Sequence, residues 1–134
     1  MQDVDINYVA VIIAALVPMV LGALWYSPAL FARPWMRAVD RTEEDMGGMG
    51  MGYVLSAIAA VLSSYALARI ERWAEVDDLW NGVLVGLLVW LGFVAGLLAV
   101  VTYFGGRPRA LWLINAGYQL VSLAIMGAIL GVWT

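Results

Sequence analysis

The sequence contains no cysteine, no histidine and no lysine, and charged residues of all kinds make up only 13% of its 134 residues. The lack of cysteine excludes disulfide bonds, thiolate nucleophiles and zinc–thiolate sites. The lack of histidine removes the commonest general base and the commonest metal ligand, and the lack of lysine excludes a Schiff base. The net charge of −3 argues against nucleic acid as a partner, because phosphate binding needs a basic patch.

Apolar residues, in contrast, make up 64% of the chain, and soluble domains are nearer half apolar. A short chain buries only part of its surface, so a bilayer is the better solvent for this composition. Four apolar runs predict helices over residues 4–26, 46–73, 79–104 and 110–132, each near or above the roughly 20 residues that span a membrane. The runs are continuous and do not alternate, which favours helices over barrel strands. We therefore predict a single all-α integral membrane domain over residues 1–134, an antiparallel bundle of four transmembrane helices.

The first span contains a proline and ends in a distinctive block. Pro18 lies mid-span and predicts a kink. Ser27 suits a helix N-cap and Pro28 the first position of a new helix, so residues 28–41 are predicted to form a short helix in the membrane interface. The predicted interfacial anchors are Trp25, Tyr26, Ser27, Pro28 and Trp35.

Acidic residues precede and follow the second span. Residues 42–45 form a capping-box pattern that predicts a helix start before the membrane. A second acidic group after the span is predicted to lie in a solvated loop that caps the third helix, with cation binding at the outer surface as the alternative; it comprises Glu71, Glu75, Asp77 and Asp78. This interpretation leaves no acidic or basic side chain inside a span, which argues against proton-coupled transport and against an enzyme.

The fourth span carries one polar face. Asn115, Gln119 and Ser122 are spaced at i, i+4 and i+7, and Tyr118 lies beside them. Two interpretations remain open at this stage: hydrogen bonding between helices, or the lining of a path for a solute or ion.

Small residues recur at four-residue spacing in three spans, including Gly82 and Gly86. Such stripes let helix backbones approach closely, so we predict helix packing within the chain or between copies, with a pore lining as the alternative. The remaining members of the predicted packing set are Ser56, Ala60, Ser64, Gly92, Gly96, Gly127 and Gly131.

Arginine positions predict the orientation. Five arginines fall in the first and third loops and two in the second. The positive-inside rule then predicts that loops 27–45 and 105–109 are cytoplasmic and that both termini are outside, with dual topology as the alternative.

Two stretches carry a family resemblance. Residues 21–31, with Trp35 and Met36 after them, and residues 113–118, with the glycine-rich 126–131, resemble the bacterial membrane family catalogued as domain of unknown function 1761. The resemblance implies the four-span fold over essentially the whole chain and no established activity. The family often has histidine where this chain has Gln119, so the resemblance implies no proton-handling role there.

The sequence thus predicts a multi-pass protein of the bacterial inner membrane, with no cofactor and with the lipid bilayer as its surroundings. The favoured hypothesis is a structural or accessory protein that acts through helix packing and forms homo-oligomers. The alternative is a small passive channel or carrier for a neutral or weakly polar solute.

Overall fold

The computed structural model describes residues 5–39 and 50–133, and within these ranges its regular structure is entirely helical. The helices are α1 (Tyr8–Trp25), α2 (Ala32–Ala38), α3 (Gly50–Trp73), α4 (Leu79–Val89), α5 (Gly96–Phe104) and α6 (Arg109–Val132). A π-helical turn, Trp90–Ala95, joins α4 and α5 into one helix, Leu79–Phe104. Four helices are therefore long and apolar enough to cross a membrane: α1, α3, the joined α4–α5, and α6. The capping box over residues 42–45 lies outside the described ranges.

α1 begins at an asparagine cap. The Asn7 side chain accepts a hydrogen bond from the Ala10 backbone N–H, which satisfies one of the free donors of the first turn. Pro18 lies inside α1. The helix ends at Trp25, and a turn leads into α2.

Ser27 does not cap α2 as the sequence predicted. Its hydroxyl donates backwards to the Leu24 carbonyl oxygen at 2.6 Å, and α2 begins only at Ala32, after Phe31. The prediction was wrong because a serine hydroxyl can bond to a preceding carbonyl as readily as to a following N–H. The turn is instead closed by backbone bonds from the Leu30 and Ala32 N–H groups to the Ser27 carbonyl oxygen.

The remaining connections are short, capped turns. After α3, Glu75 takes a left-handed conformation with φ of 57°, and the Val76 N–H donates to the Glu71 carbonyl oxygen. Asp78 then caps α4 by accepting from the Asn81 backbone N–H, as the sequence predicted for this acidic group. After α5, Gly106 provides the left-handed residue with φ of 69°, the conformation that glycine adopts without steric penalty.

α6 lies at the centre of the protein. It packs against α1, α3 and α4 and contributes the largest share of buried residues among the spans. The core joins residues of α1, α3 and α6; its members are Ala10, Val11, Ala14, Leu67, Ala68, Leu123, Met126 and Leu130. α5, at the other extreme, contributes no buried residue.

Candidate functional site

The end of α1 and the first half of α6 are joined by aromatic side chains. The Tyr26 hydroxyl donates to the Asn115 side-chain oxygen at 2.7 Å, and the Trp25 indole N–H donates to the Ile114 carbonyl oxygen at 2.9 Å. The Tyr118 hydroxyl donates in the opposite direction, to the Pro18 carbonyl oxygen of α1. We call Trp25, Tyr26, Asn115 and Tyr118 the aromatic–amide cluster. It brings together residues that the sequence analysis had placed in two separate sets.

Two glycines bring the helices of this cluster close together. A methyl group on Gly22 would lie 3.2 Å from the Tyr118 hydroxyl oxygen, and one on Gly117 would lie 3.3 Å from the Trp25 ring. The ring centroids of Tyr26 and Tyr118 are 5.4 Å apart in an edge-on arrangement, which aromatic pairs prefer. The two sequence blocks that carry the family resemblance therefore contact each other directly.

The cluster extends towards α2 through two further rings. Trp35 packs edge-on against Tyr26, with centroids 5.9 Å apart, and Phe31 packs against Trp25 at 4.9 Å. Pro28, the remaining predicted anchor beside Ser27, is exposed in the turn.

The rest of the predicted polar face lies further along α6. Gln119 is half-buried, and Ser122 is buried in the protein interior. Asn115 and Tyr118 are both engaged with α1. Half of the predicted face therefore serves contacts between helices.

Two more tryptophans bond to helix carbonyls, and the sequence analysis did not find these contacts. The Trp90 indole N–H donates to the Ala116 carbonyl oxygen, and the Trp112 indole N–H donates to the Ala95 carbonyl oxygen, both at 2.9 Å. Trp90 and Ala95 are the first and last residues of the π-helical turn. A π-helical turn interrupts the regular hydrogen-bond pattern of an α-helix. Each of the two indole hydrogen bonds therefore involves a residue at one end of this irregular turn.

The predicted packing residues divide into two groups. Ser64 donates from its hydroxyl to the Val11 carbonyl oxygen of α1 at 2.7 Å, and Ala60 is buried. Methyl groups on Gly127 and Gly131 would collide with backbone atoms at the start of the third span. Ser56 is exposed and bonds within its own helix, and in the described part of the chain no atom beyond their own helix stands within 4 Å of a methyl group placed on Gly92 or Gly96.

Glu71 is the residue that sequence reasoning placed wrongly. It lies in the last turn of α3 and its exposed fraction is 0%, whereas the sequence predicted a solvated loop. Helical spacing could have shown this, because Glu71 follows the buried Ser64 by seven residues and Leu67 by four, and therefore shares their face. The prediction did not use this spacing, because a carboxylate near a loop is normally solvated.

The carboxyl group of Glu71 points into a helix crossing made of glycines. A methyl group on Gly82 would collide with the Gly127 carbonyl oxygen and would lie 3.0 Å from Glu71 Oε1. A methyl group on Gly127 would in turn collide with the Gly82 carbonyl oxygen. We call Glu71, Gly82 and Gly127 the glycine crossing. Within the described ranges, neither carboxyl oxygen of Glu71 has a hydrogen-bond partner.

A cavity of about 290 Å³ lies near the same end of the protein, between the beginning of α1 and the ends of α3 and α6. Its polar lining comes from Asp5, Asn7 and Arg72. The Arg72 guanidinium donates to the Val76 carbonyl oxygen and so closes the turn after α3. Across residues 5–39 and 50–133, no three acidic side chains are grouped as a metal site would require.

Comparison with known proteins gives one match. The model of a family described as "Protein of unknown function (DUF1761)" matches residues 9–131. No curated protein and no solved structure matches the chain.

Proposed function

Because the chain belongs to the DUF1761 family, whose description assigns no activity, we propose a function from the geometry: a structural or accessory membrane protein that acts through helix packing and self-association. Its four apolar helices are compatible with a multi-pass membrane protein. We place them in the bacterial inner membrane as an antiparallel bundle, with α2 in the interface and both termini outside. The contacts of Gly82 with Gly127 and of Gly86 with Leu123 support opposite directions for α4 and α6, because one number rises as the other falls.

The observation that carries the proposal is the use of the polar face on α6. Asn115 and Tyr118, which a solute path would need to expose, are hydrogen-bonded to α1. Side chains that bond across helices hold a membrane bundle together, by about 1 kcal/mol each. This part of the polar face is therefore arranged for hydrogen bonding between helices.

Self-association is supported by two glycines that make no close contact with the other described helices. Gly82, Gly127 and Gly131 make close backbone contacts within the chain, whereas no described residue of another helix approaches within 4 Å of a methyl group on Gly92 or Gly96. A glycine in a helix costs about 1 kcal/mol relative to alanine. A second copy packed on Gly92 and Gly96 would offset that cost, since glycines four residues apart let two membrane helices approach closely.

The experiment compares oligomeric state in liposomes for three proteins. Fluorescence energy transfer between labelled copies, followed as lipid is added, gives the association constant. The Gly92→Leu/Gly96→Leu double variant is expected to associate at least 10-fold more weakly than the wild type. Val101→Leu is the matched control, because Val101 is exposed and lies on a different face of the same helix. Equal association of all three proteins would reject this face as the interface.

The runner-up function is a passive channel or carrier, and the half-buried Gln119 is the observation that favours it. If Gln119 lines a path, Gln119→Leu should change solute flux through liposomes and leave association unchanged. If Gln119 packs against a neighbouring helix, the same variant should lower stability or association, with no flux to change. A reporter fused at Thr134 tests the orientation, and activity of that reporter in the cytoplasm would contradict outside termini.

A further inference from the structure

Glu71 is an acidic side chain completely enclosed by the protein at the end of a membrane helix. Its exposed fraction is 0%, and it belongs to α3, one of the four helices able to span a membrane. Within the described residues its carboxyl oxygens accept no hydrogen bond. Burial of an ionised carboxylate without a partner is strongly unfavourable. Acidic residues in such positions typically mark proton or ion sites.

Beside Glu71, the backbones of α4 and α6 are held unusually close at Gly82 and Gly127. Glu71 Oε1 and the Gly127 carbonyl oxygen both lie beside the point where a methyl group on Gly82 would stand, with Glu71 Oε1 at 3.0 Å from it. Gly131 also packs on α4, where a methyl group would stand 2.6 Å from the Asp78 carbonyl oxygen. The glycine crossing is therefore tightly packed and rich in carbonyl oxygens.

This packing favours a proton over a metal ion as the ligand. Cations such as Ca²⁺ take six to eight oxygen ligands at about 2.3–2.6 Å and need space for them. A proton needs no additional space, and it converts one carboxyl oxygen from an acceptor into a donor. The carbonyl oxygen of Gly127 lies on the same side of Gly82 as Glu71 Oε1 and provides an acceptor within the crossing.

The charged groups on the packed elements are already engaged elsewhere. Arg72, next to Glu71, attracts its charge but donates to the Val76 carbonyl oxygen. At the N-cap of α4, Asp78 is bonded to Asn81. The segment of α6 that contacts the crossing, around Gly127 and Gly131, carries no ionisable side chain.

We propose that Glu71 is a proton-binding site, in which the protonated carboxyl group packs in the glycine crossing and donates to the Gly127 carbonyl oxygen. Release of the proton leaves a carboxylate that needs water or a cation, and α3 then separates from α4 and α6 at this end. Proton binding is thereby coupled to the closure of the bundle. The inference is independent of self-association through Gly92 and Gly96.

The first test is infrared spectroscopy of the full-length protein in liposomes of ether-linked lipids, which have no ester carbonyl, using the carbonyl stretch of a protonated carboxylic acid as the probe. At neutral pH an exposed glutamate is ionised, so any such band reports a buried, protonated carboxyl. The band is expected in the wild type and in Glu75→Gln, the control at an exposed glutamate, and is expected to be lost in Glu71→Gln. A wild-type spectrum without the band at neutral pH overturns the proposal, whether or not the Glu71 variant folds.

The second test is stability against pH. If the native state holds a proton that the unfolded state releases, the native state binds more protons, and the free energy of unfolding falls as pH rises. Glu71→Gln mimics the protonated acid, so its free energy of unfolding is expected to exceed that of the wild type at high pH and to lose this slope. A slope identical in the wild type and in Glu71→Gln overturns the proposal.

Discussion

The Tyr26 hydroxyl donates a hydrogen bond to the side-chain oxygen of Asn115 at 2.7 Å and joins two residues that are 89 positions apart in the chain. Tyr26 follows the last residue of α1, and Asn115 lies in the second turn of α6. This bond links the two blocks of sequence by which the family is recognised. It also shows that part of the polar face of α6 contacts the end of α1.

Removal of this hydrogen bond should weaken the packing of α1 against α6 and lower the stability of the protein. Tyr26→Phe keeps the ring contacts and deletes only the hydroxyl, so the free energy of unfolding is expected to fall by about 1 kcal/mol, as for other hydrogen bonds between membrane helices. Reversible unfolding in detergent measures the change. Tyr53→Phe is the matched control, because Tyr53 is exposed and its hydroxyl is expected to contribute little. Equal losses for the two variants would show that the bond makes no special contribution.

The glycine crossing should not tolerate a methyl group. In Gly82→Ala the new methyl would collide with the Gly127 carbonyl oxygen, a backbone atom that cannot rotate away. Overpacking of this kind costs about 1–3 kcal/mol, and the same unfolding measurement should show this loss. Gly50→Ala is the control: no described residue outside its own helix lies within 4 Å of its methyl, and alanine favours a helix by up to about 1 kcal/mol. Stability of Gly82→Ala equal to that of the wild type would contradict the close approach of α4 and α6.

The turn after α3 contains a residue in an unfavourable conformation. Glu75 has φ of 57°, a left-handed conformation that is unfavourable by about 1–2 kcal/mol for residues with a Cβ atom. Glu75→Gly is therefore expected to raise the free energy of unfolding by about 1 kcal/mol. Gly106→Ala, at φ of 69° in the turn after α5, is expected to lower it by a similar amount. Changes in the same direction for both variants would refute the conformational explanation.

Asp78, the N-cap of α4, should make the stability of the protein depend on pH in the acidic range. Hydrogen bonds from the Asn81 side chain and backbone lower the pKa of Asp78 below its ordinary value. Because the pKa is lower in the folded state, this contribution is present above the unfolded pKa and is lost as pH falls through the folded value. Asp78→Asn also caps a helix but does not titrate, so the difference in melting temperature between the two proteins should change below about pH 4, near the reference value for aspartate. A constant difference would exclude the cap as the cause.

The sequence was sufficient to predict the four long apolar helices but not the contacts between distant segments. Length and composition predicted the four helices, because hydrocarbon thickness sets the number of apolar residues in a span. Periodicity alone could not show that Tyr26 meets Asn115, since that contact depends on how α1 and α6 pack. The π-helical turn at Trp90–Ala95 had no recognisable sequence signal either.

The burial of Glu71 shows that an acidic residue at the end of an apolar span need not be solvated. The sequence placed it with Glu75 in a solvated group, although the predicted span over residues 46–73 already included it, and the structure buries Glu71 in the last turn of α3. Its spacing from Ser64 was the better guide, because residues seven apart share a helix face. The argument that no acidic side chain lies within the spans is therefore wrong for α3, and it cannot be used against proton binding.

The most direct test of the central claim is a count of wild-type copies in liposomes at decreasing protein-to-lipid ratio, with solute flux measured on the same samples. The account predicts dimers or larger assemblies that dissociate only on strong dilution, together with no flux of small neutral solutes. A protein that remains monomeric at every ratio, or that conducts solute in proportion to its amount, would contradict a role based on helix packing and self-association.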